Sequence, residues 1–287
     1  MQYPPTELVL DANGNVYHLG LSKSDIADTI LLVGDQDRVD LIASFFDTIE
    51  HSSQHREFVC KTGTYNGKRI TALSTGIGTD NIDITINELD AIHNINSRER
   101  KDNSEFKSLN LIRIGTCGIL NPQIPVLSYI LSTHAYGLDN VAHFYDIDFS
   151  TEEIELNKII SSHIGLPSLI NTYLSKGDHE LFNKLYSEKT ESGITITSSG
   201  FYGPQGRQLR LKNRTQTLNE NLSSFQHASH RISNFEMESS ALFSLGKALG
   251  HRCATICLGI ANRANKKFAS GFEKDMMGLI QYVLERI

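Results

Sequence analysis

Cysteine is sparse in this chain: the four residues, at 60, 117, 253 and 257, include no Cys-x-x-Cys pair for a metal or a redox-active disulfide. Two of them lie in the aliphatic run Cys253-Ala-Thr-Ile-Cys257-Leu-Gly-Ile, which suits packed, reduced thiols. Positive charge is also short. Against 33 acids stand 27 lysines and arginines, a net charge of -6, which removes the electrostatic case for nucleic acid or an anionic membrane as partner. No apolar run is long enough to span a bilayer. The opening Met-Gln-Tyr-Pro-Pro-Thr-Glu lacks the basic and apolar regions of a secretory signal, so the expected location is the cytoplasm. Linkers, internal repeats and low-complexity tracts are missing as well. With 39% hydrophobic residues in 287, the chain can bury a large core, and one domain over residues 1–287 is expected. The one conspicuous break, the polar run 96–107, reads as a solvated surface loop.

What is present is an alternation of elements. β-branched, apolar segments predict strands at 29–34, 57–65, 69–75, 111–116, 129–134, 193–199 and 253–261. Ile82, Ile86, Leu89, Ile92 and Ile95 form a stripe at helical spacing after Asp80, a candidate cap. Ala241, Leu242, Leu245, Ala248 and Leu249 form another, before Gly250 as a natural stop, and 272–287 reads as a closing helix. Such alternation predicts an α/β/α sandwich with a central mixed β-sheet, in which ligands gather at the carboxyl ends of strands.

Leu111-Ile-Arg113-Ile-Gly115-Thr116-Cys117-Gly118 is the most informative stretch. A strand carrying an arginine is expected to run into a turn of small residues, where backbone N–H groups, a hydroxyl and a guanidinium can hold an anion. A second such stretch, Thr29–Val33 followed by Gly34-Asp-Gln-Asp-Arg38, opens a helix expected to reach about Phe46. Each also suits a plain structural turn, and neither carries a full dinucleotide or P-loop glycine pattern.

Two further clusters suit an organic ligand. Phe201-Tyr-Gly-Pro-Gln205-Gly-Arg207 combines an aromatic face, an amide that donates and accepts, and a guanidinium for carbonyl oxygens. Asn234-Phe-Glu236-Met237-Glu238-Ser239 places two carboxylates two residues apart, usable together only at a strand-to-helix junction. A carboxylate accepting from two vicinal hydroxyls is a natural ribose reader, although acids at a helix N-terminus also serve its dipole.

In order and spacing these segments resemble the uridine phosphorylase branch of the nucleoside phosphorylases. The resemblance is carried by Tyr17-His18-Leu19-Gly20, Val33–Val39, His55-Arg56-Glu57-Phe58, Ser74-Thr75-Gly76-Ile77-Gly78, Arg113–Gly118, Phe201–Arg207, Asn234–Ser239 and Ile260-Ala261-Asn262-Arg263. It implies reversible phosphorolysis of a pyrimidine nucleoside, with uridine and phosphate as small-molecule partners and no cofactor required. Gly34, Arg38, Arg113 and Thr116 would hold phosphate, with Arg56 entering from a neighbouring subunit. Glu238 and Met237 would fix the ribose, with Glu236 nearby and the neighbour's His18 at the 5′-hydroxyl. Phe201, Gln205 and Arg207 would hold uracil, Cys117 and Gly118 would line its pocket, and Arg263 would stand on the base side. A homodimer, assembled further as a hexamer, is therefore expected. In some relatives the residues matching Glu57, Ile77 and Asn81 form a potassium site, with serine in place of Asn81. Three rivals are a purine nucleoside phosphorylase, which usually has an aspartate near the position of Asn262, a nucleosidase, and a non-catalytic nucleoside-binding protein.

Overall fold

A computed structural model describes residues 2–287. In chain order its strands and helices are β1 (Thr29–Val33), α1 (Gln36–Ala43), β2 (Thr48–His55), β3 (Phe58–Tyr65), β4 (Lys68–Ser74), α2 (Thr79–Asn94), β5 (Ile95–Asn96), β6 (Lys101–Asp102), β7 (Asn110–Ile119) and β8 (Tyr129–Gly137). Then come α3 (Thr151–Ile164), β9 (Tyr173–Lys176), α4 (His179–Leu185), β10 (Thr190–Thr197), α5 (Leu218–Ser224), β11 (Gln226–His227), β12 (His230–Glu236), α6 (Ser239–Ala248), β13 (Arg252–Asn262), β14 (Lys267–Phe268) and α7 (Glu273–Leu284).

The main sheet runs β11-β12-β10-β8-β13-β7-β1-β4-β3-β2. It is mixed: β1 lies parallel to β4 and β7, and β13 parallel to β7, whereas β3 is antiparallel to β2 and β4. Apolar residues leave both faces of the sheet. Ile82, Ile86 and Leu89 of α2 and Leu242, Phe243 and Leu245 of α6 share one core with Ile30, Leu32 and Leu111. Val39 and Ile42 of α1, Leu181 and Leu185 of α4 and Leu279, Ile280 and Val283 of α7 share another with Leu31, Ile112 and Ile256. Successive strand residues therefore feed opposite layers, the period-two rule of a sheet covered on both sides. This is the expected α/β/α sandwich.

One pairing determines where the site can form. β12 runs parallel to β10, yet Asn234 and Phe235 also pair antiparallel with Ile119 and Gly118 of β7. The path β7-β13-β8-β10-β12 therefore returns to β7 as a closed ring. Residues that leave β12 toward α6 are thereby delivered beside the second half of β7.

The structure corrects several local expectations. β7 does not end in a glycine turn at 115–118; β13 pairs with it from Asn110 to Ile119, shifting register only between Gly259 and Ala261. Arg113 is thus the fourth residue of a ten-residue strand, not its end. Helix α1 stops at Ala43 rather than near Phe46, with Ser44 as its cap. Asp80 lies in the first turn of α2, which Gly78 caps with φ 101°, a backbone state that favours glycine. The loop 96–107 holds half of a small hairpin, β5 with β6. Two long strands carried no legible signal: β2 is polar and exposed along its length, as an edge strand can be, and β12 begins with His-Arg.

Candidate active site

A cleft of about 1350 Å³ opens along the second half of β7. Its walls include Gly34 and Arg38 from the β1–α1 region, Arg113, Thr116, Cys117 and Gly118 from β7, and Glu236, Met237 and Glu238 from the β12–α6 junction. Phe201, Gln205, Arg207 and Arg263 complete it. Sixteen expected residues, counting Glu57, Ile77 and Asn81 on the rim, therefore converge from seven separate stretches of sequence.

Arg113 is the hub of one end and is only 6% exposed. It forms a close ion pair with Glu238 Oε2, lies 3.5 Å from Glu236 Oε2 through Nε, and donates to Cys257 Sγ at 3.5 Å. Burial opposes its charge, but Glu238, Glu236 and Cys257 outweigh that and hold the guanidinium above its ordinary pKa. Gly115 makes this placement feasible. A Cβ there would sit 1.8 Å from Arg113 Nη1 and 2.8 Å from Cζ, so the missing side chain is the space in which the guanidinium lies. The glycine serves close approach within a strand, not a turn.

Arg38, in the first turn of α1, donates to the Ile114 carbonyl at 3.4 Å and stands 4.0 Å from Asp35. Burial and the nearby charge of Arg113 lower its pKa. Two guanidiniums that repel each other on one wall, only one of them closely paired, make a receptor for a multiply charged anion. Gly34 adds a bare backbone; its Cβ position would be 3.3 Å from the Gly76 carbonyl.

The two carboxylates of the β12–α6 junction differ in role. Glu236 accepts from Thr197 Oγ1 at 2.6 Å, and from the backbone N–H groups of Glu238 and Ser239 at 3.0 Å. It anchors the start of α6, and burial raises its pKa although Arg113 pulls the other way. Glu238 uses one oxygen for Arg113 and the other for the Gly78 N–H at 2.7 Å. It joins the arginine wall to the loop before α2 and leaves acceptor lone pairs for hydroxyls.

The far end of the cleft is built around Arg207. Its guanidinium stacks over the Phe201 ring with Cζ 3.6 Å from the centroid, donates to the Phe201 carbonyl at 2.6 Å, and bonds Gln205 Oε1 closely. Burial and the neighbouring Arg263 lower Arg207 to about 10, so it keeps its charge at neutral pH. Gln205 is itself buried, with its Nε2–H groups left to donate. Burial and the adjoining Cys257 keep the Cys117 thiol well above its ordinary pKa, making it a neutral wall.

Sequence reasoning missed several lining residues. Asn219 of α5, with its amide oriented to suit its neighbours, donates to the Gln205 carbonyl at 3.2 Å and accepts from Arg263 Nη2 at 3.1 Å. Lys266, Lys267 and Phe268 line the mouth from the β13–β14 turn. Neither group had a readable motif; a single asparagine and a basic turn are ordinary surface composition. Asn262 is buried for another purpose: it donates to the Asn121 and Ile124 carbonyls at 3.0 and 2.8 Å and accepts from the Asn265 N–H at 3.0 Å.

Two expected residues stand outside this cleft. His18 bonds Glu88, and Arg56, at the β2–β3 tip with φ 55°, donates to the Tyr17 hydroxyl at 3.3 Å. They lie together on the exposed side of the chain's own β2–β3 hairpin rather than in its cleft.

Residues 28–285 match the family model described as the phosphorylase superfamily. The chain belongs to that superfamily. Among phosphorylases of known kind it is 29% identical over 262 residues to the uridine phosphorylase of Thermococcus kodakarensis, covering 91% of this chain and 83% of that protein. It is 26% identical over 240 residues to a DeoD-type purine nucleoside phosphorylase of Bacillus velezensis, covering 83% and 84%. A Trypanosoma brucei nucleoside phosphorylase, reported with its crystal structure to show uridine phosphorylase activity, superposes with a TM-score of 0.90 at 29% identity, covering 98% of this chain and 99% of that one. No helix among the described residues is long and apolar enough to cross a membrane.

Proposed function

We propose that this phosphorylase catalyses reversible phosphorolysis of uridine, with deoxyuridine and thymidine as further candidates, to uracil and (deoxy)ribose 1-phosphate. The carrying observation is that one strand, β7, serves both ends of the cleft: Arg113 with Arg38 and Glu238 at one end, and Gly118 beside Arg263, Arg207 and Gln205 at the other.

Arg38, Arg113, Thr116 and Gly34 hold phosphate against the anomeric carbon. Glu238 accepts from the ribose hydroxyls, and Met237 packs the sugar. As the phosphate oxygen bonds to C1′, the C1′–N1 bond breaks and its electron pair leaves on uracil. Phosphate charge on one side stabilises the oxocarbenium character of C1′, while Gln205 and Arg207 donate to the uracil carbonyls and spread the leaving charge. Phe201 with Arg207 stacked on it offers a flat wall for the base. None of these steps calls on a metal; Glu57, Ile77 and Asn81 offer a carboxylate, a carbonyl and an amide oxygen as donors for potassium on the rim. Arg56 and His18 complete the site of a neighbouring subunit in a homodimer, which a hexamer would repeat.

The DeoD-type relatives keep a purine reading in view. Against it stands Asn262, whose amide is committed to the Asn121 and Ile124 carbonyls and the Asn265 N–H and offers no acid to protonate a purine. Turnover of uridine, thymidine and inosine with and without phosphate tests the proposal. Phosphate-dependent release of uracil well above hypoxanthine is expected. Faster inosine cleavage would overturn the uridine reading, phosphate-independent cleavage would indicate a nucleosidase, and binding without turnover would indicate a carrier.

A further inference from the structure

His18 is held by a device that lies outside the cleft. Glu88, on the second half of α2, takes three N–H donors of the 18–19 segment on one carboxylate. Oε1 lies 2.6 Å from His18 Nδ1 and 3.0 Å from the His18 backbone nitrogen, while Oε2 accepts from the Leu19 N–H at 2.8 Å. A carboxylate in this position only accepts, so Nδ1 carries a ring proton, and in the neutral imidazole Nε2 keeps its lone pair. The surroundings restrain the same ring. Tyr17 meets it edge-on with centroids 5.1 Å apart, and His55 Nδ1 donates to the His18 carbonyl at 2.8 Å. His55 in turn packs on Gly20, whose φ of 66° turns the chain back after the histidine. Both the backbone and the imidazole of His18 are therefore set by one acid some 70 residues away in sequence.

We infer that Glu88 is a positioning residue for the neighbouring active site: it selects the Nδ1–H tautomer of His18 and aims Nε2 as an acceptor for the nucleoside 5′-hydroxyl across the subunit interface. This rests on the function proposed above and extends it to the residue that prepares the partner-supplied contact. Glu88 itself touches no substrate. Its effect should therefore appear as lost discrimination for the 5′-hydroxyl rather than as a general loss of catalysis, because phosphate, ribose diol and base contacts are made elsewhere.

The test compares kcat/KM for uridine and 5′-deoxyuridine, at saturating inorganic phosphate, in wild type, Glu88→Ala, His18→Ala and the double variant. One neutral hydrogen bond is worth about a fivefold preference for uridine. Glu88→Ala is expected to lose most of that preference, and adding Glu88→Ala to His18→Ala should change it no further. A purely structural role for Glu88 would lower both substrates together and leave the ratio intact, overturning the inference. A wild-type ratio near one, in an enzyme that turns over uridine, would overturn the His18 assignment and the Glu88 role with it. Absence of uridine phosphorolysis in wild type would instead overturn the functional proposal on which both depend.

Glu88→Gln guards against misfolding of the alanine variant. Its carbonyl can keep the backbone N–H donors while its NH₂ faces Nδ1, which forces the proton to Nε2. Nitrogen-15 NMR of the His18 ring should show the Nδ1–H tautomer in wild type and the Nε2–H tautomer in Glu88→Gln. An unchanged tautomer would overturn the inference independently of activity.

Discussion

Substitution of Gly115 by alanine separates the catalytic use of the arginine wall from its contribution to folding. A Cβ at 115 would lie 1.8 Å from Arg113 Nη1, 2.8 Å from Cζ and 3.0 Å from Cys257 Sγ. All three contacts are with side-chain atoms, so the strand can stay in register while the guanidinium moves. Overpacking of this kind costs about 1–3 kcal/mol of stability. Displacing Arg113 is expected to cost function as well, because on the proposed assignment the guanidinium loses its place against phosphate while staying within reach of Glu238. A charge-assisted contact is worth about 1.5–3 kcal/mol, or roughly 10- to 150-fold in rate at 1.36 kcal/mol per decade. Gly115→Ala is therefore expected to remain folded in urea titrations while kcat/KM for phosphate falls by about 10- to 150-fold. Unchanged phosphate kinetics in a folded Gly115→Ala enzyme would refute the argument that Arg113 works from the space above this glycine.

The two arginines should differ in stability although both are proposed to serve phosphate. Arg113→Ala leaves Glu238 and Glu236 buried without their cation and is expected to cost about 3–5 kcal/mol in urea unfolding, whereas Arg38→Ala relieves repulsion and should leave the midpoint unchanged or higher; equal losses would count against the ion-pair assignment. Co-expressed Arg56→Ala and Arg113→Ala chains should regain part of the activity each lacks alone, since a mixed dimer holds one site with both arginines intact; verified mixed oligomers with no gain would refute the shared site. His134 is buried with Nε2 unpartnered, and burial followed by the nearby His230 lowers it to about 4. Because the unfolded chain then binds the extra proton first, stability is full above about pH 6.5 and falls as pH drops toward 4, by up to about 3 kcal/mol. His134→Gln should flatten the urea midpoint between those pH values, and an unaltered slope would contradict this.

The candidate site was readable in the linear order of residues, because the groups proposed for phosphate, sugar and base each sit in a short local cluster. Arg113 and Thr116 share one strand, Gln205 and Arg207 one turn, Glu236 and Glu238 one junction. Helical spacing of apolar residues likewise predicted α2 and α6, and β-branched apolar runs predicted most of the buried strands, since strands covered on both faces are apolar throughout. Other features depended on tertiary neighbours. Whether Gly115–Gly118 turns or continues is decided by β13, which supplies hydrogen bonds along the whole of β7. How the two carboxylates divide their partners is decided by Thr197 and the N-terminus of α6, which occupy Glu236 and leave Glu238 to Arg113 and Gly78. The closing pair between β12 and β7 joins segments more than a hundred residues apart, and it brings the two carboxylates of the β12–α6 junction to the strand that carries Arg113. Asn219 and Glu88 gave no local signal at all, because an isolated polar residue on a helix acquires its role only from what the fold places against it. Sequence thus determined which chemistries the protein carries, through side-chain identity and short-range spacing. Only the closed sheet decided which of those groups meet, since hydrogen-bond registry between distant strands depends on contacts that neighbouring residues do not encode.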